Sequence, residues 1–189
     1  MKKRAITGIH RTGTAAAVLV VALVASACGS DLDTPVATEE LQSMDADFVA
    51  YGMVTYVTAN GLREGRIEAD TAYIYENEST AVLRQMKLIF YDEVGNERAT
   101  VTGLEGDWNQ ETNRMVARGD VVLFIHTDSS TIESPEIFYE PEIDRIWSDS
   151  ATVRTMQDGS VQSGTAFESD MSFENLRIEN MRGGARRIF

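Results

Sequence analysis

The chain of 189 residues repeats one short pattern four times, and this repeat constrains its fold more than any other feature. Apolar or small residues at relative positions 0, 2, 5 and 7 begin at Ile67, Val101, Ile132 and, more weakly, Val161. These starts lie 34, 31 and 29 residues apart, and a partner segment follows each start after 14 or 15 residues. A period near thirty that is built from two half-units predicts stacked units that cannot bury their apolar faces alone. A stack of half-open units forms a long groove, which suggests a cargo.

The N-terminal residues 1–27 are typical of an export signal. Four basic residues precede an apolar or small stretch at 14–27, which is shorter than the roughly 20 residues that span a bilayer core. The stretch ends at Cys28, the only cysteine, after Ala25-Ser26-Ala27, which resembles the lipobox of bacterial lipoproteins. We therefore expect cleavage before Cys28 and lipid on its sulfur. The alternative is an ordinary secretory signal with a spare thiol, which is unusual in an exported protein.

The negative charge of the chain argues against partners that are themselves strongly negative. Removing the signal takes away four of the 17 basic residues, which leaves 13 against 30 acidic residues and a formal net charge of −17. Nucleic acids and anionic membrane surfaces need clusters of Lys and Arg, so neither is an expected partner. Residues 28–45 are polar and acidic without a strong period, and they predict a lipidated, flexible tether before the folded domain.

The rest of the chain predicts an all-β domain over residues 46–182, followed by a short tail at 183–189. Thr, Val, Ile, Tyr and Phe recur with a period of two, and Gly, Asn and Asp interrupt them at short intervals. Within each repeat the apolar residues change parity, as between Ala69 and Ala72. Side chains alternate strictly in a regular strand, so each change predicts a bulge or corner. We expect these corners at 70–71, 104–105, 119–120 and 135–136, in strands whose apolar side chains stay inside a folded-over sheet.

From residue 61 to residue 178 the ordered blocks resemble one known family. They are GLREGRIEAD at 61–70, MKLIFYD at 86–92, VARGDVVL at 116–123, IESPEIFY at 132–139 and RIWSD at 145–149, followed by Val153, Asp158-Gly159, Gly164 and ESD at 168–170. No single block is specific, but the ordered set resembles the LptC and OstA-like proteins of lipopolysaccharide export, in their lipoprotein form.

The resemblance implies a fold and a role. It implies a taco-shaped antiparallel β-jellyroll of stacked, bent strands with an open groove, whose apolar interior holds the acyl chains of lipopolysaccharide. It also implies an adaptor that takes lipopolysaccharide from an inner-membrane ABC transporter and passes it to a periplasmic bridge protein of the same fold. The C-terminal strands would meet the bridge and the other open end would meet the transporter. Enteric members hold the membrane with a transmembrane helix, whereas this chain has a short apolar stretch and Cys28. We therefore expect a periplasmic protein held by lipid, with the periplasmic face of the inner membrane favoured.

The residues argue against an enzyme. After removal of the signal, His126 is the only histidine, so a histidine-rich metal site is excluded, and we expect His126 at the surface or at a strand end. The sequence contains neither GxGxxG nor GxxxxGK[ST], and 30 carboxylates make chance pairs unavoidable. We expect no catalytic residues, no metal and no cofactor.

A binding interior is better supported by the strand pattern. Residues that share predicted inner strand faces are Met86, Leu88, Phe90, Trp108, Val122, Phe124, Ile137, Tyr139, Ile146 and Val153. A buried methylene contributes about 0.8 kcal/mol whether it belongs to a side chain or to an acyl chain, so an incompletely closed interior accepts lipid. The alternative is a structural or saccharide-binding β-repeat lipoprotein in which the same residues only fill a core. We also expect no phosphate site unless Arg63, Arg66, Arg84 and Arg98 gather at a rim.

Overall fold

The described part of the chain folds as one antiparallel meander of twelve strands. The computed structural model describes residues 46–59 and 61–186, all within the unit Asp45–Phe189. The strands are β1 (Phe48–Ala59), β2 (Leu62–Tyr75), β3 (Thr80–Tyr91), β4 (Glu97–Asn109), β5 (Met115–Ile125), β6 (Ser130–Glu140), β7 (Arg145–Ser148), β8 (Thr152–Thr155), β9 (Ser160–Gly164), β10 (Ala166–Ser169), β11 (Arg177–Glu179) and β12 (Arg182–Arg186). Short 3₁₀ turns at Glu76–Glu78 and Pro141–Ile143 are the helical elements in the described part of the chain. The predicted all-β, antiparallel class is therefore confirmed.

The sheet has two halves that share the long strands β1 to β6. After β6, one half continues through β7, β10 and β11, and the other continues through β8, β9 and β12. The six short strands are thus three further long strands, each interrupted near its middle. The signal and tether predicted at 1–45 lie outside the described residues.

A corner crosses the middle of every long strand and divides the sheet into two walls. Wall A consists of 48–51, 71–75, 80–84, 105–109, 115–118 and 136–140 with β7, β10 and β11. Wall B consists of 53–59, 62–69, 86–91, 97–103, 121–125 and 130–134 with β8, β9 and β12. At the corner, Gly52 of β1, Gln85 of β3 and the pair Gly119–Asp120 of β5 all have positive φ. Left-handed backbone in alternate strands turns the sheet over on itself.

The predicted change of parity is confirmed in β2, β3, β4 and β6. On either side of the corner, the buried residues in these strands are Ala69 and Ala72, Leu83 and Met86, Val101 and Gly106, and Ser134 and Ile137. In β3 the extra residue is Gln85, whose φ of 50° places it in the left-handed region. The corners at 70–71, 104–105, 119–120 and 135–136 therefore lie where the pattern predicted them.

The prediction is wrong for β5 and for β7 with β8, where the inner face keeps its parity. In β5, Gly119 and Asp120 together oppose the single β6 residue Pro135. β5 thus has one residue more at the corner than β6, which itself changes parity there, so the burial in β5 continues in phase from Ala117 to Val121. Three residues separate Ser148 from Thr152, and both are at most 1% exposed. This spacing keeps Ser148 and Thr152 on the same, inner face of the sheet. The inner residue of β8 is therefore Thr152 and not the predicted Val153.

The C-terminal part of the sheet is divided at Asn180, whose φ of 49° separates β11 from β12. Pairing of β12 with β9 continues to Arg186 across an irregularity between Gly183 and Ala185. Gly183 has φ 120°, so this glycine allows a bulge and not a strand end. Residues 187–189 of the predicted tail lie outside the described part.

The backbone conformation at the corner predicts that Gly52→Ala lowers the free energy of unfolding more than Gly65→Ala does. A Cβ at Gly52 would meet no atom within 4 Å, but its φ is +60°. We expect Gly52→Ala to lower the free energy of unfolding by about 1 kcal/mol, because the left-handed conformation disfavours a side chain. Gly65 has no such φ, and a Cβ there would lie 3.5 Å or more from its neighbours, so Gly65→Ala is the matched control. Urea unfolding of both variants tests this, and equal costs would show that the corner does not depend on the backbone conformation at Gly52.

Candidate binding site between the walls

Six of the ten predicted groove residues lie on the inner faces and are buried. Met86, Leu88 and Phe90 come from wall B, and Ile137, Tyr139 and Ile146 come from wall A. The two walls meet directly, since the rings of Phe90 and Tyr139 pack edge to face with centroids 5.1 Å apart. The structure thus brings these six residues together in one core.

The centre of this core is filled. Five of the six residues, all except Phe90, line a central cavity of only about 10 Å³. A single water needs roughly 10–15 Å³, whereas ligand pockets hold about 300–1,000 Å³. The sheet is open at its two edges, but the expected open groove is occupied at its middle by side chains.

Trp108 lies on the inner face near the end of wall A. It is paired across the sheet with Ala81 and Met115, which are both buried. Trp108 itself is half-buried. A cavity of about 350 Å³ also touches it, but this cavity is lined mainly by outer-face residues such as Val116 and Phe138, so it lies on the outside of wall A.

Three predicted groove residues lie on the outer face, and the interior prediction is wrong for them. Val122 pairs with Thr102, and Phe124 packs its ring against His126 at a centroid distance of 4.8 Å. Val153 is 37% exposed. All three lie after a corner at which the buried residues keep the same parity, from Ala117 to Val121 and from Ser148 to Thr152. A change of parity was predicted there, so these three residues were assigned to the wrong face.

Other inner residues were not predicted as groove residues. The buried apolar residues missed in this way include Val121, Leu123, Ile125, Ile132, Phe167 and Phe173. Residues 121–125 are apolar on both faces, so alternation gave no means of choosing between Leu123 and Phe124. Phe173 lies in a loop, where no strand period exists.

An opening, here called the mouth, lies between the turns of the two walls. This cavity of about 370 Å³ is lined from wall B by Glu64, Phe90 and Arg98 and from wall A by Tyr139 and Asp144. Burial raises the pKa of the Tyr139 phenol, and the nearby carboxylates Glu64 and Asp144 raise it further. The Tyr139 hydroxyl is therefore neutral at physiological pH.

Only two of the four arginines considered for a phosphate site, Arg63 and Arg98, line the mouth. Arg66 and Arg84 instead form ion pairs on the outer face with Glu68 and Glu105. At the mouth, the guanidinium of Arg63 lies 4.5 Å from the ring centroid of Tyr56, and Arg98 Nη1 donates to a backbone carbonyl. Carboxylates also line this opening, which disfavours a phosphate group there.

The described residues contain no group of three or more His, Cys, Asp or Glu that is arranged to hold a metal ion. His126 directly follows β5, as expected of a strand-end residue, and its Nε2 lies 3.1 Å from Thr100 Oγ1. Within residues 46–59 and 61–186, no helix is long and apolar enough to cross a membrane.

The comparison with protein families identifies the chain. The family model described as "Lipopolysaccharide-assembly, LptC-related" matches residues 15–183. The chain belongs to the LptC family. This LptC protein is thus a component of lipopolysaccharide transport and is periplasmic, and its family consists of transport components.

A solved structure of similar fold was also found. It is the crystal structure of LptH, described as the LptA homologous periplasmic component of the conserved lipopolysaccharide transport device from Pseudomonas aeruginosa. The sequence identity is 16%, the TM-score is 0.49, and the match covers 60% of this chain and 80% of that chain. Among curated proteins, no sequence matches this LptC protein significantly.

The assignment of faces in β5 predicts a contrast between two neighbouring residues. Leu123 is fully buried, so we expect Leu123→Ala to lower the free energy of unfolding by about 2–5 kcal/mol. Val122→Ala, on the outer face, should cost about 1 kcal/mol or less. Chemical denaturation followed by circular dichroism measures both, and a larger loss for Val122→Ala would reverse the assignment.

Proposed function

We propose that the protein holds lipopolysaccharide by its acyl chains between walls A and B. In this proposal it receives the lipid from an inner-membrane ABC transporter and passes it to a periplasmic bridge protein of the same fold. The observation that carries the proposal is an apolar inner face that continues through every long strand. It runs from Val57 of β1 through Leu88 and Ile137 to Phe167 of β10, with Ile178 of β11 packed against it.

Physical chemistry favours the acyl chains as the bound part. The inner face gains free energy from any methylene that leaves water, at about 0.8 kcal/mol each. The mouth carries four carboxylates against the two arginines Arg63 and Arg98, so it offers little to the phosphates of the lipid headgroup. We infer that the headgroup stays in solvent while the tails replace side-chain contacts in the core.

The two ends of the sheet support contact with partners of the same fold. Among the described strands, β1 pairs only with β2, which leaves its other edge free over 12 residues. Tyr51, Val54 and Tyr56 on its outer face are 67%, 55% and 50% exposed. At the opposite end, β11 and β12 present free edges of three and five residues. Unpaired edges bind added strands through main-chain hydrogen bonds. Following the family resemblance, we assign the β1 end to the transporter and the C-terminal end to the bridge.

We further propose that lipid on Cys28 holds the protein at the periplasmic face of the inner membrane. The support is the short apolar stretch that ends in Ala25-Ser26-Ala27-Cys28, followed by a polar segment up to the first strand. A tether of this composition leaves the domain free to reach the transporter.

Site-specific photocrosslinking tests the proposed cargo site. With a photoreactive amino acid at Phe90 or Ile137, we expect a lipopolysaccharide adduct in living cells, because both side chains lie on the inner face. Position Phe124, on the outer face of β5, is the matched control and should give no such adduct. Adducts to protein alone at Phe90 and Ile137 would instead favour a structural β-repeat protein with a filled core.

The anchor is tested by Cys28→Ala. We expect this variant to lose incorporation of labelled palmitate and to remain unprocessed or be released from the membrane, since no other cysteine is present. Membrane fractionation and intact mass measure both effects, with Ser30→Ala as a control that keeps the cysteine. An unchanged mass and unchanged fractionation of Cys28→Ala would contradict lipidation.

A further inference from the structure

The loop between β10 and β11, residues 170–176, leaves wall A and returns to wall A, yet it also contacts wall B. We call this loop the strap. The backbone carbonyl of Met171 accepts a hydrogen bond of 3.1 Å from Arg98 Nη1, and Arg98 belongs to β4 in wall B. The amide of Met171 donates a 3.0 Å hydrogen bond to Asp144 Oδ1, in the turn between β6 and β7. Both sides of the mouth are therefore hydrogen-bonded to the backbone of Met171 in the strap.

The strap places one aromatic ring in the core. Phe173 is 8% exposed, and its ring centroid lies 6.0 Å from that of Phe90, which in turn packs on Tyr139. Phe90 and Tyr139 line the mouth cavity, so Phe173 lies where the mouth meets the filled core. The other side chains of this aromatic cluster come from regular strands, whereas Phe173 comes from a loop.

The backbone of the strap is held in an unfavourable conformation. Phe173 has φ 60°, a left-handed conformation that is a genuine outlier for a bulky residue. Side-chain hydrogen bonds of Asp170 maintain the loop: its Oδ1 accepts from Ser172 Oγ at 2.9 Å and its Oδ2 from Asn175 Nδ2 at 2.5 Å. The strap is thus a separately organised unit that two hydrogen bonds and one ring attach to the mouth, with Met171 and Leu176 packed partly against the core.

We propose that the strap is the gate through which acyl chains enter the interior, and that Phe173 occupies the position of the first chain when no lipid is bound. This inference rests on the proposed function. The centre of the core has no room for a chain, but the mouth beside it already holds about 370 Å³. When Met171 separates from Arg98 and Asp144, Phe173 leaves with the strap, and the space that its ring occupied beside Phe90 joins the mouth cavity. An acyl chain then replaces one apolar contact with another.

The main test uses the full chain in cells, with the photoreactive amino acid at Ile137. We expect Phe173→Ala to raise the yield of the lipopolysaccharide adduct by about threefold or more, because strap closure no longer limits the binding-competent population. Phe167→Ala is the matched control, since it also removes a buried ring, from β10 outside the strap. It should leave the yield unchanged or lower it. Equal losses in the two variants would show that Phe173 is only a core residue.

A second measurement keeps Phe173 in place. Spin labels at Glu174 of the strap and at Glu93 across the mouth, both exposed positions, report the distance between strap and wall B in detergent-purified protein. Addition of purified lipopolysaccharide should lengthen this distance, and an unchanged distance under conditions where lipopolysaccharide crosslinks to Ile137 would overturn the gate. If Ile137 gives no lipopolysaccharide adduct in any variant, the proposed function itself fails, and the gate fails with it.

Discussion

The whole architecture depends on one constraint: a strand that bends must keep its apolar side chains on the inside of the bend. An insertion of one residue reverses the face and an insertion of two preserves it. In this protein the left-handed residues that permit the bend occur in β1, β3 and β5 and align across the sheet. Because neighbouring strands bend at the same register, two walls form from one sheet. Both walls then contribute to a single core, which the burial of Ile67, Leu88 and Ile137 illustrates.

Much of this arrangement was predictable from the sequence. The strand class, the position of the corner and six of the buried groove residues follow from alternation and from Gly, Pro and Asp at regular intervals. The errors have a common physical cause. Alternation shows where the phase is interrupted, but the number of residues inserted is fixed by backbone dihedral angles and by the partner strand. In β5 the sequence is apolar on both faces, so only the pairing of Val121 with Ser134 resolves which side is inside. Phe173 was missed because a loop residue is placed by contacts that have no sequence period.

Under the proposed function, stability and lipid binding would compete for the same filled interior. Phe90, Tyr139 and Ile137 stabilise the domain when they pack against each other. A lipid tail that enters between the walls must replace those contacts with equivalent ones, so the net change in free energy is small even though each contribution is large. An interior of this kind stays closed to water in the absence of lipid. It also needs no dedicated cavity, which is consistent with the proposal that lipid passes through and does not remain.

The inequality of the two sheet edges has a consequence for assembly. A protein whose ends were equal in length and complementary would stack on its own copies, and such head-to-tail contacts extend without limit unless they close into a ring. Here β1 offers four residues on wall A and seven on wall B, whereas the opposite edge offers three and five and is bulged at Gly183. The two ends of the sheet are therefore different surfaces. In the proposed function, contact with an unlike partner at each end would give this chain one orientation in a row of subunits.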